Sequence, residues 1–348
     1  MTGQSRFGII GCGRMGLRRI RAIQNHPEAC VVGICDSDRS LAQWVAHEVG
    51  CPWFAEAEEL LAHPQVDCII ICVPNKFHLQ YVAAVAAAGK HIWCEKPLAR
   101  TPEEAWQAVE LSMRHRVTLK VGSNLRYFPS VLKAKELLDA GAFGETLFLR
   151  GWIGNAGWQL KSWFSNAEMA GGGAFLDNGS HLLDIARWFL GEAQEVTGFV
   201  ATQHWAVQPL EDNGMGVFRF SGGKLAFIQA CWTEWHEYSY IEVYGTQGLL
   251  RVDNRMSQCL TLLRLRNGQE QAWDYSTLRT SSYQAEMDDF IRALMEGRQP
   301  QPSGFDGLRA VQMAWGLYEA SRTGRAVSLW GERERRLAEQ IAGGFNHG

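Results

Sequence analysis

Long apolar runs are missing from this chain, and nothing in it nears the length of a membrane span. Neither sign of charge dominates. Lys and Arg number 34 against 37 Asp and Glu, a net charge of −3 with the signs mixed throughout. That balance gives no sign of a nucleic-acid surface or a polybasic membrane patch. No Cys-x-x-Cys pair occurs among the nine scattered cysteines. An odd, dispersed count points to reduced thiols, against a disulfide framework or a zinc site. There is no internal repeat and no low-complexity segment. Met1 to Ser5 is too short and polar for a signal peptide. The expectation is a soluble, cytoplasmic protein with no membrane or nucleic-acid partner and no metal.

What is present begins with length. At 348 residues the natural expectation is two domains, each able to bury a core. Phe7-Gly8-Ile9-Ile10 leads straight into Gly11-Cys12-Gly13-Arg14-Met15-Gly16, a Gly-x-Gly-x-x-Gly pattern. Gly11 permits the tight turn, Gly13 keeps side chains away from a pyrophosphate, and Gly16 lets the following helix pack on the strand. The helix-compatible stretch follows from Leu17, just past Arg14 and Met15 of the turn, and its N-terminus offers free N–H groups and a positive dipole end to phosphate. A second apolar run, Cys30–Cys35, ends at Asp36, where an acid meets the adenosine ribose. A carboxylate there favours NAD over NADP. Arg39, three residues on, offers a phosphate partner and keeps NADP open.

The first third alternates strands and helices. Strands are expected at 7–10, 31–35, 51–54, 66–73, 91–94 and 119–122, with helices between them. Such alternation predicts a parallel, doubly wound sheet over residues 1–123. From Asn124 the pattern changes to strand-like stretches with polar–apolar alternation, separated by turn signals such as Ser221-Gly222-Gly223. This predicts a second domain over 124–330, an α+β unit with a large, mostly antiparallel sheet. Residues 331–348 are charged, then Gly-rich, and are expected to be a partly disordered tail.

Several stretches can carry chemistry. Val73-Pro74-Asn75, with His78 close behind, lies just past a central strand, at the edge where open sheets bind ligands. Glu95-Lys96-Pro97 occupies the same edge, and a Lys there can donate to a hydroxyl or ketone oxygen. Asp177 and His181 stand four apart and share a face if the helix already turns there. Imidazole is matched to proton transfer near neutrality. Asp184 is an alternative partner for His181. Fourteen tryptophans are many for this length. Trp158 and Trp163 flank Lys161 in a loop-like stretch, and aromatic faces suit the C–H faces of sugars as well as cores.

Taken together, these motifs resemble the glucose–fructose oxidoreductase / inositol dehydrogenase (Gfo/Idh/MocA) family. The match rests on GCGRMG, on Glu95-Lys96-Pro97, on Gly122-Ser123-Asn124-Leu125-Arg126-Tyr127 and on the block from Gly171 to His181. Asp306-Gly307-Leu308-Arg309-Ala310 and Thr323-Gly324-Arg325 resemble its closing pattern. The resemblance implies a Rossmann domain, a second domain with an open sheet, and a homodimer or homotetramer through that sheet. It implies NAD(P)-dependent hydride transfer at a secondary alcohol carbon of a sugar, sugar derivative or cyclitol. On this chain it implies that Lys96 contacts the reacting oxygen, that His181 is the acid/base and that Asp177 holds a neighbouring hydroxyl. Asn75, His78, Glu95 and Asn124 match positions lining the cofactor, and Arg126 and Trp163 fall on the substrate side. Relatives also include glycoside hydrolases that oxidise C3 transiently and non-catalytic dinucleotide sensors, and both stand as alternatives.

Overall fold

The computed structural model describes residues 4–157, 162–255, 258–278 and 281–343. The chain divides into two compact units, Met1–Asn124 with Thr280–Leu308, and Leu125–Arg279 with Arg309–Gly348.

The first unit runs β1 (Ser5–Ile10), α1 (Arg14–Gln24), β2 (Ala29–Cys35), α2 (Arg39–Val49), β3 (Trp53–Phe54), α3 (Ala57–Ala62), β4 (Cys68–Ile71), α4 (His78–Ala87), β5 (His91–Glu95), α5 (Pro102–Arg114) and β6 (Leu119–Gly122). Its six strands are ordered β3-β2-β1-β4-β5-β6, and every pairing is parallel. This is the doubly wound order, with its switch point between β1 and β4. β4 reads Cys-Ile-Ile-Ile and is buried at every position, as a strand covered on both faces must be. Helix starts follow local chemistry. Asp38 accepts from the Leu41 N–H at 3.0 Å to open α2, and Thr101 accepts from the Glu104 N–H at 3.2 Å ahead of Pro102 in α5.

The second unit adds α6 (Pro129–Asp139), β7 (Thr146–Ala156), α7 (Ala167–Ala170), α8 (Ala174–Asp177), α9 (Gly179–Leu190), β8 (Ala193–Ala201), β9 (Asn213–Phe220), β10 (Leu225–Cys231), β11 (Thr233–Gly245), β12 (Gly248–Asp253), β13 (Leu260–Leu265) and β14 (Glu270–Asp274). The chain then forms α10 (Ser282–Glu296), α11 (Gly304–Thr323), β15 (Val327–Ser328) and α12 (Glu332–Gly343). The nine-stranded sheet is ordered β14-β13-β12-β11-β7-β10-β9-β8-β15. Only the β7–β10 pair is parallel among its described pairings. α9 packs on β7 and β10. On the other face Phe148, Phe199, Met215, Val217, Leu225 and Phe227 are exposed, Phe199 to 74%. Registers Phe199↔Met215, Val217↔Phe227 and Leu225↔Phe148 place them side by side.

One expectation needs correction. Residues 124–330 are not one unit, because α10 belongs to the first. It buries Met287, Phe290 and Ile291 in that core, with Phe290 edge-on to Trp93 at 5.2 Å. Of the tail from 331, Glu332–Gly343 is helical with Leu337 buried, and 344–348 lie outside the described residues. No described helix is long and apolar enough to cross a membrane. All nine cysteines are free thiols.

Candidate functional site

In the first unit the turn after β1 is built from main chain. Gly11 has φ +95°, and a Cβ there would lie 2.5 Å from the Cys72 carbonyl oxygen. A Cβ on Gly16 would lie 2.1 Å from the Gly11 carbonyl oxygen. The turn therefore closes only with both glycines. Gly13 is the N-cap of α1 and brings no capping side chain. The N–H groups of Arg14, Met15 and Gly16 precede the first helical donor, Leu17, which bonds to the Gly13 carbonyl at 3.0 Å. Arg14 is exposed and Met15 half-buried. Asp36 Oδ2 accepts from the Cys12 N–H at 2.6 Å and Oδ1 from the Asp38 N–H at 2.9 Å. Its carboxylate is thus fixed beside the glycine turn with acceptor capacity left over. A Cβ-free cradle, uncapped helix N–H groups and an anchored carboxylate fit a dinucleotide. Burial pushes the Cys12 thiol up to about 12, helped by Asp36, so it stays protonated. Arg39 pairs with Glu56 at 3.0 Å in the open.

At the carboxyl edge of β4 and β5, Val73 and Pro74 are half-buried and Asn75 is buried. Lys96 is half-buried, and its bond to Pro97 is cis. Two neighbours expected to line the cofactor are otherwise engaged. His78 is 1% exposed, its Nδ1 2.9 Å from the Pro97 carbonyl and its Nε2 3.0 Å from that of Val73. Each ring nitrogen faces a carbonyl of a different loop, and a neutral ring, with one N–H, donates to one of the two. Burial holds its pKa below the ordinary value, although the carbonyls work the other way. The Glu95 carboxylate turns inward, and Arg19 Nε on α1 donates to it at 2.6 Å. Arg19 Nη1 also donates to Glu286 on α10 at 2.5 Å, and its guanidinium lies 4.4 Å from the Trp93 ring. Lys120, equally buried, stands 3.6 Å from Glu286 and donates to the Gln301 carbonyl. Burial opposes the Arg19 charge, but Glu286 and Glu95 outweigh it, and the guanidinium is held above its ordinary value. Asn124 Nδ2 donates to Ser282 Oγ at 2.9 Å. The sequence reading missed this buried quartet. Arg19 lies three residues after Gly16 and four before Ile23, on the buried face of α1, and that spacing is the available signal.

In the second unit Asn178 is helical in φ and ψ, so α8 runs on into α9. Asp177 and His181 therefore share a face, as the spacing anticipated. Asp177 is 9% exposed and accepts from Trp232 Nε1 at 3.1 Å. His181 is half-buried. Trp232 is fully buried, and its carbonyl accepts from Trp205 Nε1 at 2.7 Å. Trp163 stacks on Phe164 at 3.9 Å and packs on the cluster of Ala170, Ala174 and Trp232. Trp158 lies outside the described residues. Arg126, expected on the substrate side, is engaged within the second unit. It is 3% exposed and bidentate to Asp184, at 2.8 and 2.5 Å, with Trp188 5.0 Å from its guanidinium. That pair is buried and closes one bidentate ion pair inside the second unit. Nothing local in the sequence links Trp232 to Asp177, 55 residues away. Among the described residues no cluster of three metal-ligating side chains occurs.

Residues 5–123 match the model of an oxidoreductase family with an NAD-binding Rossmann fold, and residues 131–251 match that of the GFO/IDH/MocA C-terminal domain. The scyllo-inositol 2-dehydrogenase (NAD(+)) of Bacillus subtilis (strain 168) is 27% identical over 337 residues, 94% of this chain and 97% of its own. The D-xylose 1-dehydrogenase (NADP(+)) of Haloarcula marismortui is 29% identical over 340 residues, 93% of each chain. Among solved structures, levoglucosan dehydrogenase in complex with NADH and L-sorbose superimposes with a TM-score of 0.87 at 24% identity, over 94% of this chain and 100% of that one. That likeness speaks to the fold. The chain belongs to the GFO/IDH/MocA family of oxidoreductases.

Proposed function

We propose that this member of the family oxidises a secondary alcohol carbon of a sugar or cyclitol, with NAD preferred. The observation that carries the reading is Asp177, anchored by the Trp232 indole one helical turn before His181. The Gly11–Gly16 turn, the α1 N-terminus and Asp36 would hold the nucleotide, and NAD when bound supplies the hydride acceptor. In this reading His181 takes the hydroxyl proton. Lys96 donates to the same oxygen and favours its alkoxide character. Asp177 accepts from a neighbouring hydroxyl and fixes the ring's orientation. Trp163 offers an aromatic face to the sugar's C–H groups. One relative named above carries NAD in its name and the other NADP. Kinship thus leaves the coenzyme open, and a carboxylate at Asp36, just past β2 and beside the glycine turn, supports NAD. The dehydrogenase names of those relatives support net oxidation over transient oxidation in a glycoside hydrolase.

The same reading includes a homodimer or homotetramer formed through the open sheet face. The side-by-side exposure of Phe199, Met215, Val217 and Phe227 supports it. Light scattering of Phe199→Asp should show a smaller species than the parent chain. The test of activity is turnover of myo-inositol, scyllo-inositol, D-xylose and levoglucosan with NAD and NADP side by side. At least one polyol should reduce NAD, and His181→Ala should lower kcat by about 10²–10⁴. Binding of NAD without turnover of any polyol, and no effect of His181→Ala, would favour a sensor. A released aglycone without net NADH would favour the hydrolase.

A further inference from the structure

The turn that carries Asp177 is held by two residues distant in sequence. Four consecutive main-chain N–H groups lead up to it, and all four donate outside their own segment. Gly173 donates to Glu211 Oε2 at 3.0 Å and Phe175 to Glu211 Oε1 at 2.8 Å. Ala174 donates to the Glu211 main-chain oxygen at 3.0 Å. Leu176 donates to the Tyr318 hydroxyl at 3.1 Å, and that hydroxyl donates to Glu211 Oε1 at 2.9 Å. Glu211 precedes β9 and Tyr318 lies on α11, so three separate stretches converge on one helical turn. The fit is close. A Cβ on Gly173 would lie 1.9 Å from the Glu211 main-chain oxygen, and one on Gly172 would lie 2.6 Å from the Tyr318 hydroxyl. α8 then closes with the Asp177 N–H on the Gly173 carbonyl at 2.9 Å.

We infer that Glu211 and Tyr318 are positioning residues that set the axial place and rotation of α8, and through it the aim of Asp177 toward the face shared with His181. The inference rests on the assignment of Asp177 and His181 to the reaction. Its logic is that first-turn amides must find acceptors. Here the Glu211 carboxylate takes two, the Glu211 main-chain carbonyl one and the Tyr318 phenol one, so moving either residue moves the turn. Trp232 fixes only the far end of the Asp177 side chain, leaving the main chain to Glu211 and Tyr318.

Two variants test this. Tyr318→Phe keeps the ring and removes the hydroxyl. Glu211→Gln turns an N–H₂ group toward one of two N–H donors, and it is the harsher change. The first readout needs no substrate: the imidazole of His181, titrated by proton NMR in the full-length protein. Tyr318→Phe should shift its midpoint by about half a pH unit, in the direction given by Asp177→Asn. The second readout is kinetic, with myo-inositol and NAD. Tyr318→Phe should lower kcat about tenfold while KM and NAD affinity change less than about twofold. An unchanged His181 titration in Tyr318→Phe, with or without lost stability, overturns the inference. So does an Asp177→Asn variant that leaves His181 untouched. If His181→Ala turns over polyols normally, the underlying assignment fails instead, and the NMR result still stands as the test of position.

Discussion

In the first unit the groups suited to a nucleotide are mostly main chain: a turn closed by Gly11 and Gly16 and the first N–H groups of α1. In the second unit the groups suited to an alcohol are side chains, Asp177 and His181, on a turn propped by Trp232, Glu211 and Tyr318. Their treatment of buried charge differs too. The first unit encloses four charges, Arg19, Glu95, Glu286 and Lys120, around Trp93. The second closes Arg126 and Asp184 as a bidentate pair. A main-chain site tolerates side-chain exchange but not added bulk. A side-chain site tolerates bulk at its margins but not the loss of a distant prop.

The largest expected effect probes buried charge. Arg19 compensates two carboxylates, Glu95 and Glu286, and is itself fully buried. Arg19→Met leaves them with Lys120 alone, at 3.6 Å from Glu286. Breaking a buried pair by removing one partner costs about 3–5 kcal/mol, and this variant should reach the upper end. Arg126→Met strands one carboxylate and should cost less. Urea unfolding midpoints check the order, and equal losses would mean that Lys120 already carries Glu286.

Next comes added bulk. In Gly16→Ala the new Cβ meets a backbone oxygen, which cannot swing aside. Overpacking costs about 1–3 kcal/mol, and if strand and helix part to accept the methyl, the N–H cradle opens. NAD affinity by calorimetry should fall about ten- to a hundredfold. A control, Gly50→Ala, puts a Cβ into open space. Its positive φ costs stability, but it should leave NAD affinity alone.

The same division explains what could be read without coordinates. A main-chain site announces itself locally, because only glycine fits at Gly11 and Gly16 and the acid must follow one strand later. The parallel sheet was legible for the same reason: β4 is apolar at every position, and Thr101-Pro102-Glu103-Glu104 opens a helix in plain view. Asp177 and His181 were visible by spacing alone. Glu211 and Tyr318 were not, because their bonds span 36 and 142 residues and carry no local pattern. α10 was legible as a helix but not as part of the first unit, since its allegiance is decided by Phe290 against Phe7 and Trp93. Glu95 and Arg126 were placed beside the ligands by the resemblance, and their ion-pair partners Arg19 and Asp184 lie 76 and 58 residues away, where no local pattern shows them. β14 is a largely exposed edge strand of mostly polar residues, with no apolar run to mark it.

Asp36 sharpens the comparison as the side chain proposed to meet the nucleotide's ribose. Asp36→Asn keeps an acceptor for the Cys12 N–H but removes the charge. A hydrogen bond to a charged group is worth about 1.5–3 kcal/mol, so NAD affinity should fall about tenfold. Affinity for NADP should hold or rise, because the repulsion toward a 2′-phosphate is gone. Parallel titrations with the two coenzymes check this, and equal losses would remove Asp36 from the ribose.

The smallest effect concerns pH and His78, which joins the loop after β4 to the one after β5. Its folded pKa is lowered by burial. The folded ring is therefore neutral where the unfolded ring, near 6.5, already takes a proton. The contribution to stability is complete above about 6.5 and is lost as pH falls, until the folded value is reached. The slope is at most about 1.4 kcal/mol per pH unit for one proton. His78→Gln can still donate to a carbonyl but does not titrate. It should be less stable than the parent at pH 8 and should lack that stretch of slope, so that the two curves converge toward pH 5. Thermal unfolding across that range measures it. Parallel curves would mean that the ring accepts its second proton in place, shared between the Val73 and Pro97 carbonyls, and the loops would then be clasped by an imidazolium rather than a neutral ring.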